Sequence, residues 1–387
     1  MKVAVVTIQY PPTVGGLQAH VKGIVDLVKS LDYEVSVVTA EQNPTMRVEG
    51  KLDSNVIQLP AVIWFKDTPV INPVTLYKTL KKIDPDIVHV VYPFPLSLDV
   101  ACFYAVINRK KLVATYIDDI IVEFPYSAVI TVYEKILWKT WMNFIISISV
   151  SSREYGLNCS GLTGWNKDFC IIPPPVFDTY FDLSLKNKRA AKKKLGLDKY
   201  DKVVLFVGGL RKRLYYKRPD ILLKAWSKFV QEKKDNSSVL VIVGDGELRE
   251  YYTKIARNLG LTKDNTIFMG YVPRETLVDC YLAGDVFVLP SQDNNEAFGV
   301  TAVEAMLYGN VLIVSDIPGL RGAVGRESNT GVSLIPVGNW LKIVEKLKFW
   351  LSRDLSNYAI RNHEYVKKHF SKEKIREEVR RLYNSIK

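Results

Sequence analysis

The chain has 387 residues, 48% of them hydrophobic, with 53 Lys and Arg against 41 Asp and Glu and a net charge of +12. This length exceeds one ordinary core and predicts two domains, and the hydrophobic content excludes a largely disordered chain. Residues 1–180 hold 16 basic against 17 acidic side chains and residues 181–387 hold 37 against 24, so the second half carries the excess. That excess serves either solvated helix faces or attraction to the phosphates of a nucleotide or lipid. No nucleic-acid-binding motif accompanies it, so a nucleic-acid partner is not expected.

Four scattered cysteines, Cys102, Cys159, Cys170 and Cys280, show no metal or redox spacing and read as reduced core thiols of a cytoplasmic protein. No apolar run reaches the length of a membrane span, and the N-terminus runs straight into a strand, so no signal peptide is expected.

In chain order, Lys2 to Ile8 is a buried parallel strand, Gln9 to Leu17 a loop, Ala19 to Leu31 an amphipathic helix and Val35 to Val38 a second strand. Gly15 and Gly16 before the helix let backbone N–H groups approach an anion, although the dinucleotide spacing of glycines is absent. His20, one turn into the helix, is either a ligand contact or a buried histidine. Strands follow at Asp86–Val91 and Leu112–Tyr116, the latter leading into Asp118 and Asp119. That pair could bind a divalent metal or cap a helix; adjacent residues on extended chain point apart, which favours the cap.

Ser127 to Phe144 is an aromatic-rich helix. Trp138 and Trp141 beside lysines suggest an interfacial anchor, or else aromatics buried against the neighbouring domain. Strands at Ile145–Val150 and Cys170–Ile172 end at three prolines, Pro173 to Pro175. These open a linker that includes the basic helix Lys186–Leu195.

A second strand–helix alternation starts at Lys202. Its first loop, Leu210 to Arg218, holds five cations where a pyrophosphate binds in such folds. Strands at Ser238–Gly244 and Thr266–Met269 and a helix at Arg274–Ala283 lead to Asp285–Leu307. There a strand, a polar turn and a helix form a ligand edge of an open sheet. Glu296 near the helix start is either a cap or a ligand contact. Glu304 lies in an apolar helix, where a bare carboxylate needs a donor that a ligand hydroxyl could supply. After strand Val311–Ser315, two helices end the chain, the last at Lys372–Ile386. The whole is an α/β protein of two doubly wound domains facing across a cleft.

Several of these segments resemble the retaining GT-B glycosyltransferases of family 4, which include bacterial phosphatidylinositol mannosyltransferases and sucrose-forming enzymes. They are PPTVGGLQAHV, LFVGG with Lys217, VIVGDGELRE, MGYVPRETLVDCYLAGDVFVLPS, EAFGVTAVEAMLYG, SDIPGL and FSKEKIREEV. The resemblance implies residues 1–180 as the acceptor-side domain, 181–200 as linker and basic helix, and 201–355 as the nucleotide-sugar domain. Residues 356–387 would be helices returning to the first domain.

The resemblance also implies roles. Glu304 would bind ribose hydroxyls. Glu296, with the N–H groups of Ala297, Phe298, Gly299 and Val300, would hold the transferred sugar. Lys217 would neutralise the departing diphosphate, and Gly15, Gly16 and His20 would face the donor from the first domain. No carboxylate nucleophile is implied, unlike in retaining glycosidases.

Two positions depart from the family pattern. Ile117 stands where a sugar-contacting histidine is usual, leaving Asp118 or Asp119 as its substitute. Gly209 stands where an arginine is usual, leaving Arg211, Lys212 or Arg213.

The expected function is therefore a metal-independent, retaining hexosyltransferase of glycan biosynthesis using a UDP- or GDP-sugar as donor substrate, with no other cofactor. Its acceptor would be lipid-linked or a growing surface glycan, with peripheral contact at the inner face of the membrane. The alternatives are a soluble sugar or sugar-phosphate acceptor, or a sugar-nucleotide-binding subunit with weakened catalysis.

Overall fold

The computed structural model describes residues 1–13, 16–41, 52–65, 68–120, 126–176, 185–233, 237–325 and 331–384. The chain divides into two compact units, residues 1–175 together with 372–387, and residues 176–371.

In the first unit the strands are β1 (Lys2–Val6), β2 (Glu34–Ala40), β3 (Val56–Leu59), β4 (Ala61–Phe65), β5 (Thr68–Ile71), β6 (Ile87–Tyr92), β7 (Lys111–Tyr116), β8 (Ser147–Val150) and β9 (Cys170–Ile171). Seven of them form one sheet in the order β3-β2-β1-β6-β7-β8-β9, and every pairing is parallel. Strands such as IVHVVY are buried along their whole length, as a parallel sheet covered on both faces requires. β4 and β5 form a separate antiparallel hairpin.

In the second unit the strands are β10 (Lys202–Val207), β11 (Ser238–Val243), β12 (Thr266–Gly270), β13 (Val286–Leu289), β14 (Val311–Ser315) and β15 (Val332–Ile335). Their order is β12-β11-β10-β13-β14-β15, again all parallel. Both sheets reverse direction beside their first strand, between β1 and β6 and between β10 and β13. Such a switch point leaves a crevice beyond the strands' carboxyl ends, where ligands bind in open α/β sheets.

The expected division needs correcting at two places. The basic helix Leu185–Lys194 is not a free linker but packs in the second unit on helix Arg274–Ala283. Its cations have partners: Lys188 and Lys192 reach both oxygens of buried Asp285 at 2.9 and 3.4 Å, and Lys194 reaches Asp279 at 2.5 Å. Part of the positive charge thus neutralises acids at the amino end of β13. Helix Ser356–His369 also stays in the second unit, where His363 Nδ1–H donates to the Leu307 carbonyl at 2.5 Å. Only the final helix, Lys372–Asn384, joins the first unit. There Glu378 accepts from the Ile171 N–H at 3.0 Å and Tyr383 meets His89 Nδ1 at 2.6 Å.

β3, the β4–β5 hairpin and β15, with helices Pro73–Ile83 and Ser97–Ile107, are elements for which the sequence pattern raised no expectation. The four cysteines are buried and free.

Candidate functional site

In the second unit the site is built at the β10–β13 switch point. β10 ends in Gly208–Gly209, and the chain then winds through the short 3₁₀ segment Lys212–Lys217 before the helix Pro219–Lys233. A side chain at Gly208 would meet Lys217 Cδ at 2.9 Å, so this glycine makes room for the lysine to turn back over the strand end. From the neighbouring strand, Ser291 and the polar turn Gln292–Asn295 lead to Glu296. The Gln292 N–H donates to the Tyr216 carbonyl at 2.7 Å, and Arg218 donates to Gln292 and Asp220. These bonds tie the two loops together.

Between the loops lies an ion pair. Lys217 Nζ donates to Glu296 Oε2 at 2.5 Å, Ser291 Oγ donates to the same oxygen at 3.1 Å, and both charged residues are buried. Glu296 is therefore not a helix cap. The helix Val300–Leu307 starts four residues later, capped by Gly299 in a left-handed conformation (φ 74°). A Cβ there would lie 2.3 Å from Leu320, so Gly299 is required by both its dihedral and its packing. Phe298 turns its ring into the core against Phe370. Ala297 and Val300 are half-buried on either side.

Glu304 corrects an expectation. Its carboxylate is buried but not bare: Arg274 Nη1 donates to Oε1 at 2.9 Å and Tyr281 Oη to Oε2 at 2.8 Å. Burial pushes its carboxyl above the usual range, while Arg274 and Tyr281 pull it down. The protein already supplies the donors, so a ligand hydroxyl would share an oriented acceptor rather than rescue an orphan. Arg274 and Tyr281 escaped the sequence reading because they lie 30 and 23 residues away. Their only signal was an arginine and a tyrosine on the helix preceding β13.

Arg211, just before the 3₁₀ segment, and Lys212 and Arg213 on it are exposed, and Gly209 packs beneath Leu214, so the loop presents its extra cations to solvent.

In the first unit, Gly16 begins helix Gly16–Lys29 beyond β1, while Gly15 lies outside the described residues. His20 is buried, and its Nε2–H donates to the Ile172 carbonyl at 2.9 Å. Burial lowers its pKa to about 4, so the ring is neutral at pH 7. The histidine thus bolts the helix to the residue that follows β9. His89 is likewise neutral and buried, its pKa lowered to about 3. It links Tyr383, Thr115 and, through Thr115, Ser149 in one hydrogen-bonded chain across the sheet.

Beyond β7, Asp119 accepts from Tyr116 Oη at 2.5 Å and from the N–H groups of Ser160 and Gly161 at 3.3 and 3.4 Å. It anchors the short turn Ser160–Leu162 and is not free to act elsewhere. Asp118 is half-buried, and burial, then the charge of Asp119, raises its carboxyl to about 7. Among the described residues no three His, Cys, Asp or Glu side chains cluster as metal ligands.

Comparison with known proteins places the chain in a family. The model for glycosyl transferases group 1 matches residues 187–369, and that for glycosyltransferase family 4 matches residues 14–176. The chain belongs to the family 4 glycosyltransferases. It is 26% identical to an uncharacterized glycosyltransferase of Methanocaldococcus jannaschii across 94% of this chain and 91% of that protein. A D-inositol 3-phosphate glycosyltransferase of Corynebacterium aurimucosum is 32% identical over 46% of this chain and 43% of its own. A mannosylfructose-phosphate synthase of Agrobacterium fabrum is 32% identical over 44% and 36%.

Among solved structures, sucrose-phosphate synthase from Thermosynechococcus elongatus superposes with a TM-score of 0.74 at 18% identity, covering 100% of this chain and 98% of the other. The Anabaena protein HepE, solved with UDP, gives 0.76 at 16% identity with full coverage of both chains. These likenesses establish the GT-B fold.

Proposed function

We propose that this glycosyltransferase moves a hexose from a UDP- or GDP-sugar to its acceptor with retention of anomeric configuration and without a metal. The observation that carries the reading is the buried Lys217–Glu296 pair at the β10–β13 switch point, with Glu304 on the helix behind it. An ammonium held there can transfer its interaction from Glu296 to the diphosphate as negative charge grows on the leaving oxygen. Glu296, with the backbone N–H groups that follow it, then holds sugar hydroxyls, and Glu304 holds the ribose. Arg211 is a further cation available to the phosphates. Asp118 stands in for the sugar contact that Ile117 lacks. In its neutral form this acid donates a hydrogen bond, and in its ionised form it accepts one.

For the acceptor we infer a lipid-linked or growing surface glycan. A soluble sugar-phosphate acceptor is the second reading, favoured by the names of the inositol-phosphate and mannosylfructose-phosphate relatives. The test is nucleoside-diphosphate release from UDP- and GDP-sugars with each acceptor class, with chelator present, and anomeric assignment of the product by NMR. Turnover that survives chelation and gives a retained product is expected. An inverted product or abolition by chelator overturns the mechanism.

A further inference from the structure

The segment Tyr126–Met142 is apolar on two sides. It comprises an α-helix Tyr126–Tyr133, one π turn Glu134–Trp138 and a last turn Lys139–Met142. The inward side is fully engaged. Trp138 is completely buried, packs tilted against the Tyr92 ring and donates from Nε1 to the Gly161 carbonyl at 2.6 Å. Trp141 Nε1 donates to Asp99 at 2.6 Å, and Glu134 accepts from Tyr92 Oη at 2.7 Å. Both indoles of the expected Trp138–Trp141 anchor are thus hydrogen-bonded within the first unit, Trp138 fully buried and Trp141 half-buried.

The outward side carries Val129, Val132 and Ile136 along one ridge, 65%, 57% and 59% exposed, flanked by Tyr126 and Leu137. A surface helix of a soluble domain ordinarily places polar residues there. Phe144 follows the segment and is exposed. Phe103, one turn on from Asp99 on the neighbouring helix Ser97–Ile107, is exposed as well.

Within Tyr126–Met142 the exposed charges are of one sign. Lys135 and Lys139 are exposed, whereas the segment's single acid, Glu134, is turned inward to Tyr92.

We propose that this face docks flat on an anionic lipid surface, with the apolar ridge entering the headgroup boundary and the two lysines meeting lipid phosphates. No helix among the described residues is long and apolar enough to cross a membrane, so the contact is peripheral. A second copy of the chain fits less well, because a two-fold interface would bring the same lysines towards each other. The inference deepens the lipid-acceptor reading and rests on it only for the acceptor's identity. Docking is read by sedimentation and transfer by turnover, so either can fail alone.

The experiment is co-sedimentation of the full chain with phosphatidylcholine vesicles, with and without phosphatidylglycerol. Wild type, Val132→Glu/Ile136→Glu and Lys135→Ala/Lys139→Ala are compared, with circular dichroism melting as the control for folding. Wild type should bind the anionic vesicles and the double glutamate variant should not. The lysine variant should bind about thirtyfold more weakly. Equal partitioning of all three proteins overturns the proposal. So does a wild-type dimer in gel filtration that the glutamate variant dissociates without any lipid effect.

Discussion

Replacing Lys217 by methionine leaves the Glu296 carboxylate with Ser291 as its remaining donor at that oxygen. The lysine and glutamate side chains are only 11% and 8% exposed, so water cannot take over the lost interaction. Removing one partner of a buried ion pair costs about 3–5 kcal/mol, whereas replacing both by uncharged groups of similar shape is close to neutral. In a unit of roughly 200 residues, spanning 176–371, a loss of that size lowers the melting temperature by about 10 °C.

Lys217→Met and Glu296→Gln should therefore each destabilise. The double variant should melt near the wild-type temperature and still turn over no donor, because the buried ammonium assigned to the departing diphosphate is gone. Denaturation and nucleoside-diphosphate release on the four proteins separate the two effects. The reasoning is refuted if the stable double variant retains turnover, which would make Lys217 merely a counter-ion. It is equally refuted if Lys217→Met melts like wild type, which would mean that the pair is not buried in solution.

Two further outcomes follow from the acids. Arg274→Met removes the stronger of the two influences that hold Glu304 ionised against burial. Nucleotide affinity in the variant should then fall off at a higher pH than in wild type as the pH is lowered, while Arg274→Lys moves the profile back towards wild type. Calorimetric titration across a pH series checks this, and an Arg274→Met profile that coincides with wild type contradicts it. Asp118 has a folded pKa of about 7 against 3.8 unfolded, so the folded state holds the extra proton between those values. Its stabilising effect is complete below about pH 4 and lost as the pH rises through 7. Asp118→Asn should match wild type in acid and exceed it by about 2 kcal/mol at pH 8, after discounting for partial exposure. The same variant should lose turnover if Asp118 contacts the transferred sugar.

The parallel strands were legible because strands buried on both faces are uninterrupted runs of β-branched and other apolar residues. The helices Arg274–Ala283 and Val300–Leu307 were legible because Pro273, Gly284, Gly299 and Gly309 punctuate them. What escaped depended on contacts distant in sequence. Glu304 looked bare because Arg274 and Tyr281 belong to another helix. The run of cations at 185–194 looked free because Asp285 lies more than 90 residues on. The helix around Trp138 is apolar on both sides, so periodicity could not say which side faces inward. Hydrogen bonds from its indoles to Gly161 and Asp99 decided that. The pair Glu296 and Glu304 was visible as spacing, but the closure of Lys217 onto Glu296 across 79 residues was not.

The claim that the second unit binds a nucleoside-diphosphate sugar through Glu304 and Lys217 is tested most directly by thermal shift. UDP-, GDP- and ADP-sugars are titrated against wild type and Glu304→Ala. A ligand at a hundred times its dissociation constant stabilises by about 2.7 kcal/mol, or roughly 5–10 °C for a unit of this size. At least one sugar nucleotide should produce such a shift in wild type and little in the variant. No shift with any of them, or an equal shift in Glu304→Ala, would contradict the assignment of this site.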